Sequence, residues 1–170
     1  AVVVDSPWVA ADHPAAEVPV AVGNKCKILN AAEEKLIVSK IAEIENETSG
    51  EVHIHISSEK IKNSPMESAL YHFKHLGLDL TKNRNGVILY IAVKEKKFAI
   101  YGDEGIHKFI KQDGWNSICE DLNSAFQKGD FCIGIINAIQ KIGDVLKANF
   151  PQKPGTDNPN ELTNEISRSE

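Results

Sequence analysis

The chain predicts an α/β fold: a three-layer α/β/α sandwich around a small mixed β-sheet, with elements in the order α-β-α-β-β-α-α. Three observations predict it. Segments with the 3.6-residue apolar period of a helix alternate with short segments of period two or continuous apolarity. One of these, "VILYIAV" from Val87 to Val93, is apolar on both faces, so layers must cover it from both sides. A strand–helix–strand segment implies a parallel pair with a right-handed crossover, and the short charged turn "KEKK" implies an antiparallel neighbour.

The first helix begins at Asn30, which can cap, and Glu33 three residues on completes a capping-box pair. Ile37, Ile41 and Ile44 line one face, and Gly50 marks the stop. In the first strand Val52, Ile54 and Ile56 alternate with Glu51, His53, His55 and Ser57. The second helix has the clearest start: Ser64 caps, Pro65 takes the first helical position and Glu67 closes the box. Met66, Ala69, Leu70, Phe73 and Leu76 form its stripe before Gly77. "TKNRNG" turns the chain into the second strand, Val87 to Val93, and a third runs from Phe98 to Tyr101. Asp113 is expected to cap a third helix carrying Trp115, Ile118, Leu122 and Phe126, ending at Gly129. Asp130 is expected to cap the last, carrying Phe131, Ile135, Ile139, Ile142 and Leu146, with Pro151 beyond.

At 170 residues and 42% hydrophobic, the chain fits one globular domain able to bury a core. The net charge of −5 sits at the ends: residues 1–24 carry −3 and 151–170 carry −2, which leaves 25–150 neutral. No basic stripe exists, which argues against nucleic acid. No apolar run is long enough to span a membrane. The three cysteines, Cys26, Cys119 and Cys132, are odd in number and share no CxxC spacing, so a reducing compartment fits better than a disulfide framework. Residues 1–24 are rich in Ala, Val and Pro without a period, and read as a leader or an added arm outside the fold. The domain is expected over 25–150. The polar 151–170 is expected to be an extended strap or a disordered end.

The topology gathers oxygen-bearing side chains at one rim of the sheet. Glu51 opens the first strand, Asn83 and Asn85 precede the second, Asp103 and Glu104 close the third in "IYGDEG", and Asp113 lies just beyond. Clustered carboxylates repel unless a cation joins them or one takes up a proton. Hard oxygens suit Ca²⁺ or Mg²⁺ rather than zinc. The competing account is simpler: such acids are commonly solvated helix caps, and no EF-hand spacing is present. His53 and His55 share a strand face with Glu51 and form a second candidate, for a transition metal. A polar strand face covered by a helix accounts for them better, because no third histidine is placed nearby. His72, His75 and His107 read as helix-surface or loop residues, and Cys119 and Cys132 as small buried hydrophobes. The chain has no nucleophile elbow, P-loop or HExxH.

Several segments in this order, "SGEVHIHI", "TKNRNGVILYIAVKEKKFAIYGDEGI", Gly114–Trp115 and "FQKGDFCIGIINAIQKIGDVL", resemble the TPM domain family of thylakoid-lumen, photosystem II-associated and receptor-modulating proteins. "NELTNEIS" resembles the ending of its short soluble bacterial members. The resemblance covers roughly 30–150 and implies an α/β/α sandwich. It also implies a divalent cation, Ca²⁺ or Mg²⁺, at an acidic cluster onto which Gly102, Glu104, Gly105 and Asp113 map, with Asp103 replacing or supplementing Glu104. Plant lumenal members are described as acid phosphatases, with Asp113 the matching general base here. Many relatives carry a signal peptide and a membrane helix; their lack here implies a cytoplasmic form. A non-catalytic binding module with a possible protein partner is the expected function, and a metal-assisted phosphatase the alternative. Arg84 and Lys82 are the rim's cationic candidates for phosphate.

Overall fold

The computed structural model describes residues 2–7, 28–152 and 164–170. Its elements are β1 (Val2–Pro7), α1 (Ala31–Glu47), β2 (Val52–Ser57), α2 (Pro65–His75), β3 (Val87–Ala92), β4 (Lys97–Gly102), α3 (Glu104–Gln127), α4 (Phe131–Asn149) and β5 (Ser167–Ser169). The strands form one mixed sheet in the order β1-β4-β3-β2-β5. β2 and β3 are parallel and β3 and β4 antiparallel, as the crossover and the charged turn require.

The helix starts follow their cap chemistry. Asn30 Oδ1 accepts from the backbone N–H groups of Ala32 and Glu33 at 2.9 and 3.0 Å, and Glu33 Oε2 accepts from Asn30 N at 2.7 Å. Ser64 Oγ accepts from Glu67 N, with Pro65 at the first helical position. Gly77, at φ +77°, ends α2 in the left-handed region that favours glycine.

The sheet divides the interior into two apolar layers. Ile54, Ile56, Leu89, Ile91, Phe98 and Ile100 face the stripes of α1, α3 and α4. Ile88, Tyr90, Ala92 and Ala99 face Met66, Ala69 and Phe73 of α2. β3 is therefore buried on both faces, which is why its sequence is uninterruptedly apolar.

Three expectations are corrected or narrowed. Residues 2–7, set outside the fold by composition, form edge strand β1 antiparallel to β4. The Val-Val-Val start is a good strand former, and its partner lies about a hundred residues away, beyond the reach of local patterning. Residues 8–24 and Cys26 of that region lie outside the described residues, as do 153–163 of the tail. The second is narrowed rather than overturned: of the strap and the disordered end expected for the tail, Ser167–Ser169 is the strap, docked in parallel on β2. The third concerns α3, which begins at Glu104 rather than beside Asp113. Asp103 is its N-cap, with Oδ1 accepting from Glu104 N at 2.8 Å. Lys111, at φ 56° and ψ 175°, breaks this helix, and Asp113 falls in the first turn after the break.

Candidate functional site

One rung of the sheet places the rim. β2, β3 and β4 begin or end with Val52, Val87 and Gly102 side by side. One residue further out, Val87 N donates to Glu51 O at 2.8 Å and Asp103 N donates to Gly86 O at 3.0 Å. Glu51 and Asp103 thus flank Gly86 from opposite sides, about two strand spacings or ~10 Å apart.

On the β4 side the acids meet a guanidinium. Asp103 is only 2% exposed. Arg84 Nη2 donates to its Oδ1 at 3.1 Å, and Nε lies 2.9 Å from its Oδ2, charge to charge without hydrogen-bond alignment. Glu104 is 3.8 Å from the same Nε. Arg84 Nη1 donates to Asp79 O at 2.8 Å, tying the 3₁₀ turn Leu78–Leu80 to the start of α3. Arg84 holds this pose from a left-handed backbone, φ 53°, uncommon for a residue with a Cβ. The Asp103–Glu104 pair therefore already has one cation against it, a side chain that is 47% exposed. Asn85, fully buried at the same rim, donates through Nδ2 to Ser49 Oγ at 3.4 Å, while its Oδ1 finds no hydrogen-bond partner.

On the β2 side Glu51 meets Glu45 of α1, each 4% exposed. Glu45 Oε1 accepts from Val52 N at 3.0 Å. Burial first, and then the neighbouring Glu51 carboxyl, push Glu45 well above the ordinary carboxylate range, to about 8, against the lowering effect of the Val52 N–H. Glu45 is thus pushed toward its protonated form beside Glu51, the second of the two escapes open to clustered acids. Sequence patterning singled out Glu51 and missed Glu45. The signal was present: Glu45 stands four residues after Ile41, on the buried stripe of α1.

The expected four-acid constellation thus separates into parts. Asp103 and Glu104 stand together, Glu51 pairs elsewhere, and Asp113 is exposed beyond the break in α3. Among the described residues no three or more His, Cys, Asp and Glu side chains form a group suited to a metal ion.

His53 and His55 are 5% and 3% exposed beneath α2, and His72 stacks on His55 with ring centroids 3.7 Å apart. His72 is thus a half-buried packing residue rather than a surface one. His107 lies inside α3. Cys119 and Cys132 are buried free thiols, and burial pushes Cys119 up to about 12, which leaves it protonated and unreactive. No helix among the described residues is long and apolar enough to cross a membrane.

Residues 22–145 match the model of a family described as the TPM domain. The NMR structure of BA42 protein from the psychrophilic bacterium Bizionia argentinensis is 37% identical, with a TM-score of 0.74, and the match covers 84% of this chain and 97% of that one. The N-terminal domain of a P. gingivalis protein shares the fold at 17% identity and a TM-score of 0.61, over 74% of this chain and 80% of that one. No curated protein matches the chain.

Proposed function

The chain belongs to the TPM domain family, and from that premise we propose that it binds a divalent cation, Ca²⁺ or Mg²⁺, through Asp103 and Glu104 as a non-catalytic regulatory module. The observation that carries this reading is Asp103 Oδ2. It is a buried carboxylate oxygen with no hydrogen bond, answered only by the charge of a half-exposed arginine. Asn85 Oδ1 adds a second unpartnered buried oxygen at the same rim. An all-oxygen donor set fits a hard cation, although the described carboxylates at this point number two, so water and neutral oxygens must complete the shell. A bound cation would neutralise the acidic pair at the start of α3. Arg84 is the residue it displaces, freeing a guanidinium that can meet a partner protein. The cytoplasm remains the proposed setting, in keeping with cysteines that show no disulfide framework.

Adding 10 mM CaCl₂ or MgCl₂ is expected to raise the melting temperature. At ten times the dissociation constant the gain is about 1.4 kcal/mol, or roughly 3–5 °C for a domain of this size. Backbone amide shifts should centre on residues 84 and 102–105. Asp103→Asn with Glu104→Gln should abolish the response, while Arg84→Gln should tighten binding by removing the competing charge. No movement of melting point or spectrum with calcium, magnesium or manganese would refute the reading.

The alternative, a metal-assisted phosphatase, has less support. Its cationic candidate Arg84 is held by the two acids, and Asp113 is exposed on the far side of the α3 break. Turnover of p-nitrophenyl phosphate that needs a divalent ion and vanishes in Asp113→Asn would favour it. Absence of such turnover is the result expected here.

A further inference from the structure

The opposite end of β2 carries a second device, independent of the cation reading. We propose that β5 is a proton-gated latch, in which the C-terminal strand stays docked while His53 and His55 are neutral and is released when they take up protons.

The geometry is a chain of hydrogen bonds. Ser167 Oγ lies 2.7 Å from His53 Nε2 and 2.7 Å from His55 Nδ1. His55 Nε2 lies 3.1 Å from Ser169 Oγ, which donates to Ser57 Oγ at 2.9 Å. One run of protons satisfies every member: His53 Nε2–H to Ser167, Ser167 O–H to His55 Nδ1, His55 Nε2–H to Ser169, and Ser169 O–H to Ser57. That run requires the His55 imidazole to be neutral, and a neutral His53 satisfies it as well. Its one acceptor nitrogen, His55 Nδ1, is the atom a proton would take, and the Ser167 O–H would then lose its acceptor.

Among the described residues, the named influences on the two rings are burial and neighbouring histidines, with no carboxylate among them. His72 of α2 stacks on His55, with His75 further along the same helix, and Tyr90 of β3 stacks on both His55 and His72. Glu59, after β2, acts on His72, and Glu51 at the other end of β2 is paired with Glu45. Arg168, between the two serines, reaches away to Glu34 at 2.7 Å. Burial, and then the nearby His72, hold His53 down at about 4; the same two causes, with His53 added, hold His55 at about 3. Release of β5 moves both histidines part of the way back toward the ordinary 6.5, while α2 and Tyr90 go on covering His55. Docking is therefore strongest above pH 6.5 and weakens as pH falls through 6.5 toward 4. For His53 alone about 30-fold at pH 5 is the ceiling of the weakening, because α2 shares in its burial.

Amide hydrogen exchange on the full chain reads the latch directly. Ser58 N donates to Ser169 O at 2.8 Å, so Ser58 and residues 167–169 report docking. Their protection factors are expected to fall at least tenfold between pH 7 and pH 5, while those of β3 hold. Retained protection at pH 5, or an equal loss in β3, would overturn the latch. A second measurement does not depend on the docked state surviving. The His53 and His55 ring shifts, titrated in the native protein and in Ser167→Ala/Ser169→Ala, should show higher midpoints in the variant. Equal midpoints would show that docking and protonation are unlinked, and the proposal fails.

Discussion

Gly105→Ala is expected to destabilise the protein by at least about 3 kcal/mol, near the top of the range for a single substitution. A Cβ at Gly105 would lie 2.1 Å from Asn83 O and 2.6 Å from Arg84 O, and both are backbone atoms. The segment holding them cannot retreat cheaply. Arg84 N donates to Thr81 O, Asn85 N to Thr81 Oγ1, and Gly105 N to Arg84 O at 2.8 Å. Relief of the clash would break that last bond and withdraw Arg84 from Asp103. Gly129→Ala is the control. It has φ +82° but nothing within 4 Å of the added carbon, so it should cost only the left-handed backbone penalty of about 1 kcal/mol. Urea denaturation of both variants checks the pair. A Gly105→Ala cost no larger than the Gly129→Ala cost would show that the approach of the two segments is loose.

Glu45→Gln is expected to stabilise the protein at pH 8 by about 2–3 kcal/mol, and by much less at pH 5. The folded chain holds a proton at Glu45 that the unfolded chain, with an ordinary carboxyl near 4.5, releases. Stability from this group is complete below pH 4.5 and is lost as pH rises from there toward 8. Glutamine removes the penalty and keeps the contacts, since its Oε1 can accept from Val52 N and its Nε2 can donate to Glu51. Denaturation midpoints at the two pH values measure the difference. An equal gain at both would mean that the Glu45–Glu51 pair holds no proton.

The central fold was readable because its signals are local. Asn30 with Glu33, and Ser64 with Pro65 and Glu67, announce helix starts within four residues. The double-sided burial of β3 is written in its own apolar run. What escaped the sequence depends on distant contact. α3 starts about ten residues before the expected cap Asp113, within a stretch that holds Gly102 and Gly105. Both glycines are there for clearance, one against the Trp115 ring and the other against the backbone of residues 83 and 84. The acidic rim was readable as a list of residues but not as a set of partners. Arg84 reaches Asp103 only through an unusual backbone conformation, and Glu45 reaches Glu51 only because α1 ends against the start of β2. β1 and β5 escaped because each pairs with a strand roughly a hundred residues away.

The position of β5 also bears on how the protein stays dispersed in a crowded solution. Without β5, the edge of the sheet would be β2, "VHIHIS". That segment is six residues long, β-prone, free of proline and uncharged while its histidines are neutral, the profile of a strand that recruits copies of itself. Among the described residues β5 covers His55, Ile56 and Ser57, and so closes half of this template to neighbours. A chain trimmed before Ser167 would fold around the same core and yet present an adhesive edge. Light scattering of the trimmed chain is therefore expected to rise with time where that of the full chain does not.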